Sequence, residues 1–257
     1  MLYIKRYFNG MLMSFSMFCF IPVPYHLWDE QCVNLVLPCF PLVGALIGVL
    51  WLGIAKLLNV SGVHPVLAAA VTAVAPFVLS GLLHLDGFAD TCDAIMSRRP
   101  AEEKLRILKD PHMGVFSTAA LCMIVILQFA SVYATLDMDK NITPLALIPV
   151  ISRGCASAAI LFLDALPESG YGKLFKENTG LSHKLFVIAV IIAAVCLSAV
   201  YAGLYGLIAS AAVILGYAGS MGIAYREFHG VSGDLAGYAI VIGELCGLLL
   251  MGVAVCC

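Results

Sequence analysis

From Val190 to Ile208 the chain carries no charged residue, and roughly 20 such residues are what a helix needs to cross the hydrocarbon of a bilayer. A backbone in lipid has no water to bond, so a chain built from such runs folds as helices that satisfy their own N–H and C=O groups. Composition agrees with that constraint: of 257 residues, 62% are hydrophobic and 12% charged, where a soluble domain carries about 25% charged residues. Mean hydropathy is +1.00. The expected fold is all-α, a polytopic integral membrane helical bundle forming one domain over residues 1–257. A net charge of −2 gives no basic field for nucleic acid.

Hydropathy places about seven transmembrane helices, at Val33–Leu58, Pro65–Leu83, Gly114–Leu136, Pro144–Leu163, Leu185–Ala202, Tyr205–Tyr225 and Leu235–Cys256, with Gly203 closing a tight hairpin. Before them, Lys5 and Arg6 lead into Met11, Met13, Phe15, Met17, Phe18 and Phe20. No small-residue cleavage site follows, and the segment reads as an N-terminal interfacial helix ended by Pro22-Val23-Pro24. With the N-terminus inside, the cytoplasmic segments hold Lys5, Arg6, Arg98, Arg99, Lys104, Arg106, Lys109, Lys173, Lys176, Lys184 and Arg226, out of 14 basic residues. Basic residues favour that side, so the expected location is the cell (cytoplasmic) membrane with the active site facing the cytoplasm. The cysteines are scattered singly apart from Cys256-Cys257 and read as reduced small hydrophobes.

One segment concentrates chemistry: His84-Leu85-Asp86-Gly87-Phe88-Ala89-Asp90-Thr91-Cys92-Asp93. At about 100° per residue, acids at i, i+4 and i+7 fall on one helix face within roughly 60° of each other. Three like charges stacked that way repel, and a divalent cation is the simplest compensation. Oxygen-only donors favour Mg2+. The alternative is a solvated acidic helix end. His84, two residues before the first acid, is a candidate to bond a carboxylate or a phosphate, or else an interfacial polar residue.

Four further signals accompany it. Lys109-Asp110-Pro111-His112-Met113-Gly114 precedes a span, where Asp110 serves as a helix cap or a metal ligand and Lys109 and His112 as phosphate contacts. Arg153 sits mid-span, where a guanidinium is either an anion clamp or half of a buried ion pair with Glu244. Gly233 and Asp234 open the last span in Gly230-Val231-Ser232-Gly233-Asp234, a pattern suited to phosphate through backbone N–H groups or metal through the carboxylate. Asp164, Glu168, Lys173, Lys176 and Glu177 form a mixed-charge loop, solvated or a substrate lid.

In this order the motifs resemble the cobalamin synthase family, the adenosylcobinamide-GDP ribazoletransferases, nearly end to end. Residues 84–93 look like the family's HLDGxADTxDA hallmark, Lys109–Gly114 its KDPRxG motif, and Ser152-Arg153-Gly154 its S/GRG element. Ser232–Gly237 with Gly243-Glu244-Leu245 is similar to TGDxxGA and GEL, and Phe40-Pro41-Leu42-Val43-Gly44 leading to Gly48 also fits. His112 departs from the family's usual arginine. The resemblance implies joining of adenosylcobinamide-GDP to α-ribazole or its 5'-phosphate with release of GMP. It implies Mg2+ on Asp86, Asp90 and Asp93, with Asp110 or Asp234 as further ligands, Asp93, Asp90 and His84 as catalytic candidates, and Arg153, Lys109, His112, Gly233 and Glu244 as substrate or phosphate contacts. Homo-oligomers or other enzymes of B12 assembly are conceivable partners besides the bilayer. Two rival classes are CDP-alcohol phosphotransferases, whose DGxxAR pattern is broken here by Asp90 after Ala89, and a metal-dependent transporter using Arg153 and Glu244.

Overall fold

A computed structural model describes residues 2–20, 29–137, 141–167, 174–176 and 179–253. Helices α1 (Leu2–Phe18), α2 (Val36–Val60), α3 (Pro65–Leu79), α4 (Leu83–Met96), α5 (Ala101–Ile107), α6 (Val115–Asp137), α7 (Ile148–Phe162), α8 (Leu181–Phe228) and α9 (Gly233–Val253) follow one another. Among the described residues there is no strand, only one bridge between Ala165 and Val231. Each of the seven expected spans is mostly helical where described; Pro22-Val23-Pro24, Lys140, Glu168, Lys173, Glu177 and the end of the last span lie outside the described residues. Five helices are long and apolar enough to cross a membrane, six if α3 and α4 count as one bent span.

One boundary differs from the hydropathy reading. The second span ends at Leu79, and Gly81 and Leu82, both at positive φ, turn the chain so that α4 runs at 89° to α3. The acidic helix therefore does not extend a span but lies across the bundle. The fifth and sixth spans together make α8, 48 residues long and broken at Gly203. At 1.5 Å per residue that is about 72 Å, more than twice the roughly 30 Å of a hydrocarbon core. It doubles back at Gly203, whose φ of 60° and ψ of −144° lie in a region near that used almost only by glycine. Just past the reversal the Ser198 hydroxyl donates to the Gly206 carbonyl at 3.0 Å, so the two limbs touch.

Helices α2, α7 and α9 are mostly buried, whereas α6 and α8 face outward with apolar residues such as Ile126, Leu197, Val200 and Leu215. Apolar surface around a polar-spotted centre suits a lipid surround. Gly44 and Gly48, one turn apart on α2, meet the backbone of Pro149 and Ala146 so closely that a Cβ would lie 2.3 and 2.0 Å from a carbonyl oxygen. That is the small-residue contact by which membrane helices approach.

Prolines inside two of these helices each free a carbonyl four residues earlier, and a neighbouring helix bonds it. Pro41 leaves the Leu37 carbonyl without its helical donor, and Ser157 of α7 donates to it at 2.7 Å. Pro76 does the same to Thr72, and the fully buried Trp51 indole N–H donates at 2.7 Å. Trp51→Phe keeps most of the ring and removes the donor. It is expected to lower stability by about 1–3 kcal/mol, the desolvation cost of an orphaned carbonyl, read as an earlier unfolding midpoint in detergent.

Candidate functional site

The site forms where α4 crosses α9. Gly87 lies against Asp234, where a Cβ would come within 2.8 Å of the Asp234 backbone, and Gly237 lies against His84, at 3.2 Å. One glycine on each helix lets the two axes close, which brings the acids of α4 beside the N-terminus of α9. The N-terminus is itself held in place: Val231 donates to the Asp164 carbonyl and Leu166 to the Val231 carbonyl, both at 2.9 Å. Ser232 then caps α9, its hydroxyl accepting from the Leu235 N–H at 3.3 Å.

Asp86 and Asp234 are exposed and Asp90 is half-buried. Burial first, then the charges of Asp86, Asp234 and Asp93, push the Asp90 carboxyl up to about 6. Among the described residues none of Asp86, Asp90 and Asp234 has a basic side chain within ion-pair distance. Hard carboxylate oxygens with unbalanced charge fit a divalent cation such as Mg2+ in chemical type. Their spacing alone does not enclose one, since among the described residues no three acidic, His or Cys side chains are grouped closely enough to hold an ion. The substrate's own oxygens would have to complete the coordination.

Asp93 is engaged elsewhere. Its carboxylate accepts from the Gly114 N–H at 2.5 Å, the Ser117 N–H at 3.0 Å and the Ser117 hydroxyl at 2.8 Å. It caps the N-terminus of α6 from a neighbouring helix and pins the Lys109–Gly114 loop beside α4. The face shared by three acids on the helical wheel is thus divided, with Asp86 and Asp90 turned to α9 and Asp93 to α6. Ser117→Ala removes one of the three donors and the local cap partner. It is expected to lower stability by about 1 kcal/mol while leaving any Mg2+ requirement unchanged, checked by unfolding midpoint against metal titration.

Asp110 accepts from the His112 N–H at 3.0 Å and contacts its Nδ1 at 2.7 Å. Those bonds hold its carboxyl below the ordinary value, and it serves its own exposed turn. Lys109 and His112 are exposed on the same loop. Arg153 is fully buried and pairs with Glu244, whose carboxylate also accepts from the Ser152 hydroxyl. The ion pair of the sequence reading is present: Arg153 and Glu244 link α7 to α9 inside the bundle through one guanidinium nitrogen, while the buried Arg153 Nε has no hydrogen-bond partner among the described residues. Gly233 stands exposed at the start of α9.

His84 is 6% exposed, with its ring centroid 6.5 Å from Phe18 and 5.7 Å from Phe40. These rings, with Leu37, Ile240 and Ser232 to Asp234, line a cavity of about 330 Å3. Phe18, Phe40 and Ser117 were not singled out as site residues from sequence; Phe40 lay in a motif, but nothing local signals that α1 and α2 deliver rings to His84.

A profile for cobalamin-5-phosphate synthase matches residues 10–252. The chain belongs to the cobalamin synthase family. It is 38% identical over 247 residues to the adenosylcobinamide-GDP ribazoletransferase of Clostridium botulinum strain Alaska E43, covering 95% of this chain and 97% of that one. It is 33% identical over 249 residues to the enzyme of the same name from Clostridium perfringens strain SM101, at 97% and 99% coverage. The Klebsiella pneumoniae enzyme of that name is 34% identical over 213 residues, 82% of this chain and 85% of that one. No solved structure matches.

Proposed function

We propose that this cobalamin synthase transfers α-ribazole, or its 5'-phosphate, onto adenosylcobinamide-GDP with release of GMP, at the cytoplasmic face of the cell membrane. The observation that carries it is the meeting of Asp86, Asp90 and Asp234 at the α4–α9 crossing, at the mouth of a cavity, in a chain whose relatives bear that enzyme's name. Phosphoryl transfer calls for charge neutralisation and in-line placement more than covalent help.

Asp86 and Asp234 would hold Mg2+, which would supply charge neutralisation at the diphosphate. The acceptor's hydroxyl oxygen bonds to the phosphorus that carries the cobinamide side, and the bond from that phosphorus to GMP's bridging oxygen breaks. The hydroxyl proton passes to Asp90, whose carboxyl is pushed up to about 6 by burial and by the neighbouring acids. Lys109, on the loop that Asp93 anchors, supplies positive charge toward the departing GMP, and His112 beside it offers a ring nitrogen for a hydrogen bond. The testing experiment is purified protein in detergent with adenosylcobinamide-GDP and α-ribazole, with and without its phosphate, reading GMP release against Mg2+. Metal-dependent GMP release with one new corrinoid product is expected; no GMP from either acceptor overturns the reading.

A further inference from the structure

The cavity beside the acids has a chemistry that the metal–diphosphate reading leaves unexplained. Its walls are mainly apolar, with His84, Ser232 and Asp234 as the polar side chains among them. On the wall, among the described residues, the buried Nε2 of His84 has no hydrogen-bond partner. Buried polar atoms are normally satisfied, so an unpartnered one on a residue that lines the cavity and packs against Phe18 and Phe40 is a group that a ligand seated there can satisfy.

Size and polarity narrow the ligand. About 330 Å3 lies at the low end of the roughly 300–1,000 Å3 of small-molecule sites, enough for a bicyclic ring and far too little for a corrin macrocycle. Guanine carries donors and acceptors along its whole edge, and an apolar wall would leave most of them unpaired. A phospholipid tail fits the walls, but its phosphate would then meet Asp86, Asp90 and Asp234 without a cation.

We propose that this cavity seats the flat apolar base of the acceptor nucleoside, the benzimidazole ring of α-ribazole, between Phe18, Phe40 and Ile240, with His84 Nε2–H donating to the ring nitrogen that carries no sugar. The proposal rests on the transfer reading above and adds the acceptor's subsite to it. The base then points into the bundle while its ribose hydroxyl lies at the mouth, beside the acids. His84 is a binding residue here, distinct from the groups that handle phosphate.

The test is calorimetric binding of free benzimidazole to the full-length protein in detergent, paired with steady-state kinetics. Ala236→Leu extends a side chain from α9 into the cavity and His84→Phe keeps the ring while removing the donor. Each is expected to weaken benzimidazole at least about tenfold and to raise KM for α-ribazole similarly, with KM for adenosylcobinamide-GDP unchanged. Ile240→Ala enlarges the cavity and is expected to raise the relative kcat/KM for a naphthimidazole riboside, a gain that misfolding cannot mimic. GMP release with unchanged α-ribazole KM in these variants overturns the subsite alone. Benzimidazole binding that Ala236→Leu weakens, in a protein that releases no GMP, supports the subsite and overturns the transfer. A co-purified phospholipid that benzimidazole does not displace also overturns the subsite.

Discussion

Asp90→Asn is expected to lower kcat by about 10²–10⁴-fold, the range that a positioned proton acceptor contributes, in a protein that still folds. The substitution keeps the shape of the side chain and removes both the proton acceptor and one of the charges gathered at the α4–α9 crossing. Asp86→Asn and Asp234→Asn should act differently, raising the Mg2+ concentration needed for half-maximal GMP release more than they lower the rate at saturating metal. The contrast with Asp93 is the sharper check. Because the Asp93 carboxylate accepts from Gly114 and Ser117, its loss should appear first as an earlier unfolding midpoint. Near-normal turnover by a correctly inserted Asp90→Asn protein would end the assignment of this crossing as the reaction centre.

The second large effect concerns the buried pair. Arg153→Met leaves Glu244 charged and 4% exposed inside the bundle, and breaking such a pair typically costs about 3–5 kcal/mol. Replacing both partners removes the uncompensated charge, so Arg153→Met with Glu244→Leu is expected to recover most of that loss. Ser152 remains satisfied in the double variant because its hydroxyl also reaches the Pro149 carbonyl. Unfolding midpoints of the single and double variants check this directly. The same proteins decide between the two roles a mid-span arginine can have. A folded double variant within about tenfold of wild-type kcat/KM keeps Arg153 as a strut between α7 and α9. A folded double variant with transfer abolished makes it a phosphate clamp.

The interior prolines show how the fold tolerates local disagreement. Pro41 and Pro76 each break a helical hydrogen bond, and each freed carbonyl is bonded from another helix, by Ser157 and Trp51. Nothing within α2 or α3 identifies those donors. A carbonyl that a proline frees in lipid needs another donor, and which group serves is fixed only when the helices are assembled.

Much of this architecture was legible without coordinates. Apolar runs too long for any soluble element dictated helices across a bilayer, and Gly203 marked the hairpin because few other residues adopt the reversal it makes. The acidic run on residues 84–93 marked the candidate site, since repelling charges on one face call for compensation. Tertiary structure alone decided which acids work together. Helical periodicity gives a side chain's angle about its own axis and says nothing of which helix faces it. Hence Asp93, in phase with Asp86 and Asp90, was claimed by the N-terminus of α6, while Asp234, about 140 residues away in the chain, joined them through the contacts of Gly87 and Gly237. The same reason hid the cavity: Phe18, Phe40 and His84 belong to three helices, and their common space exists only where those helices pack.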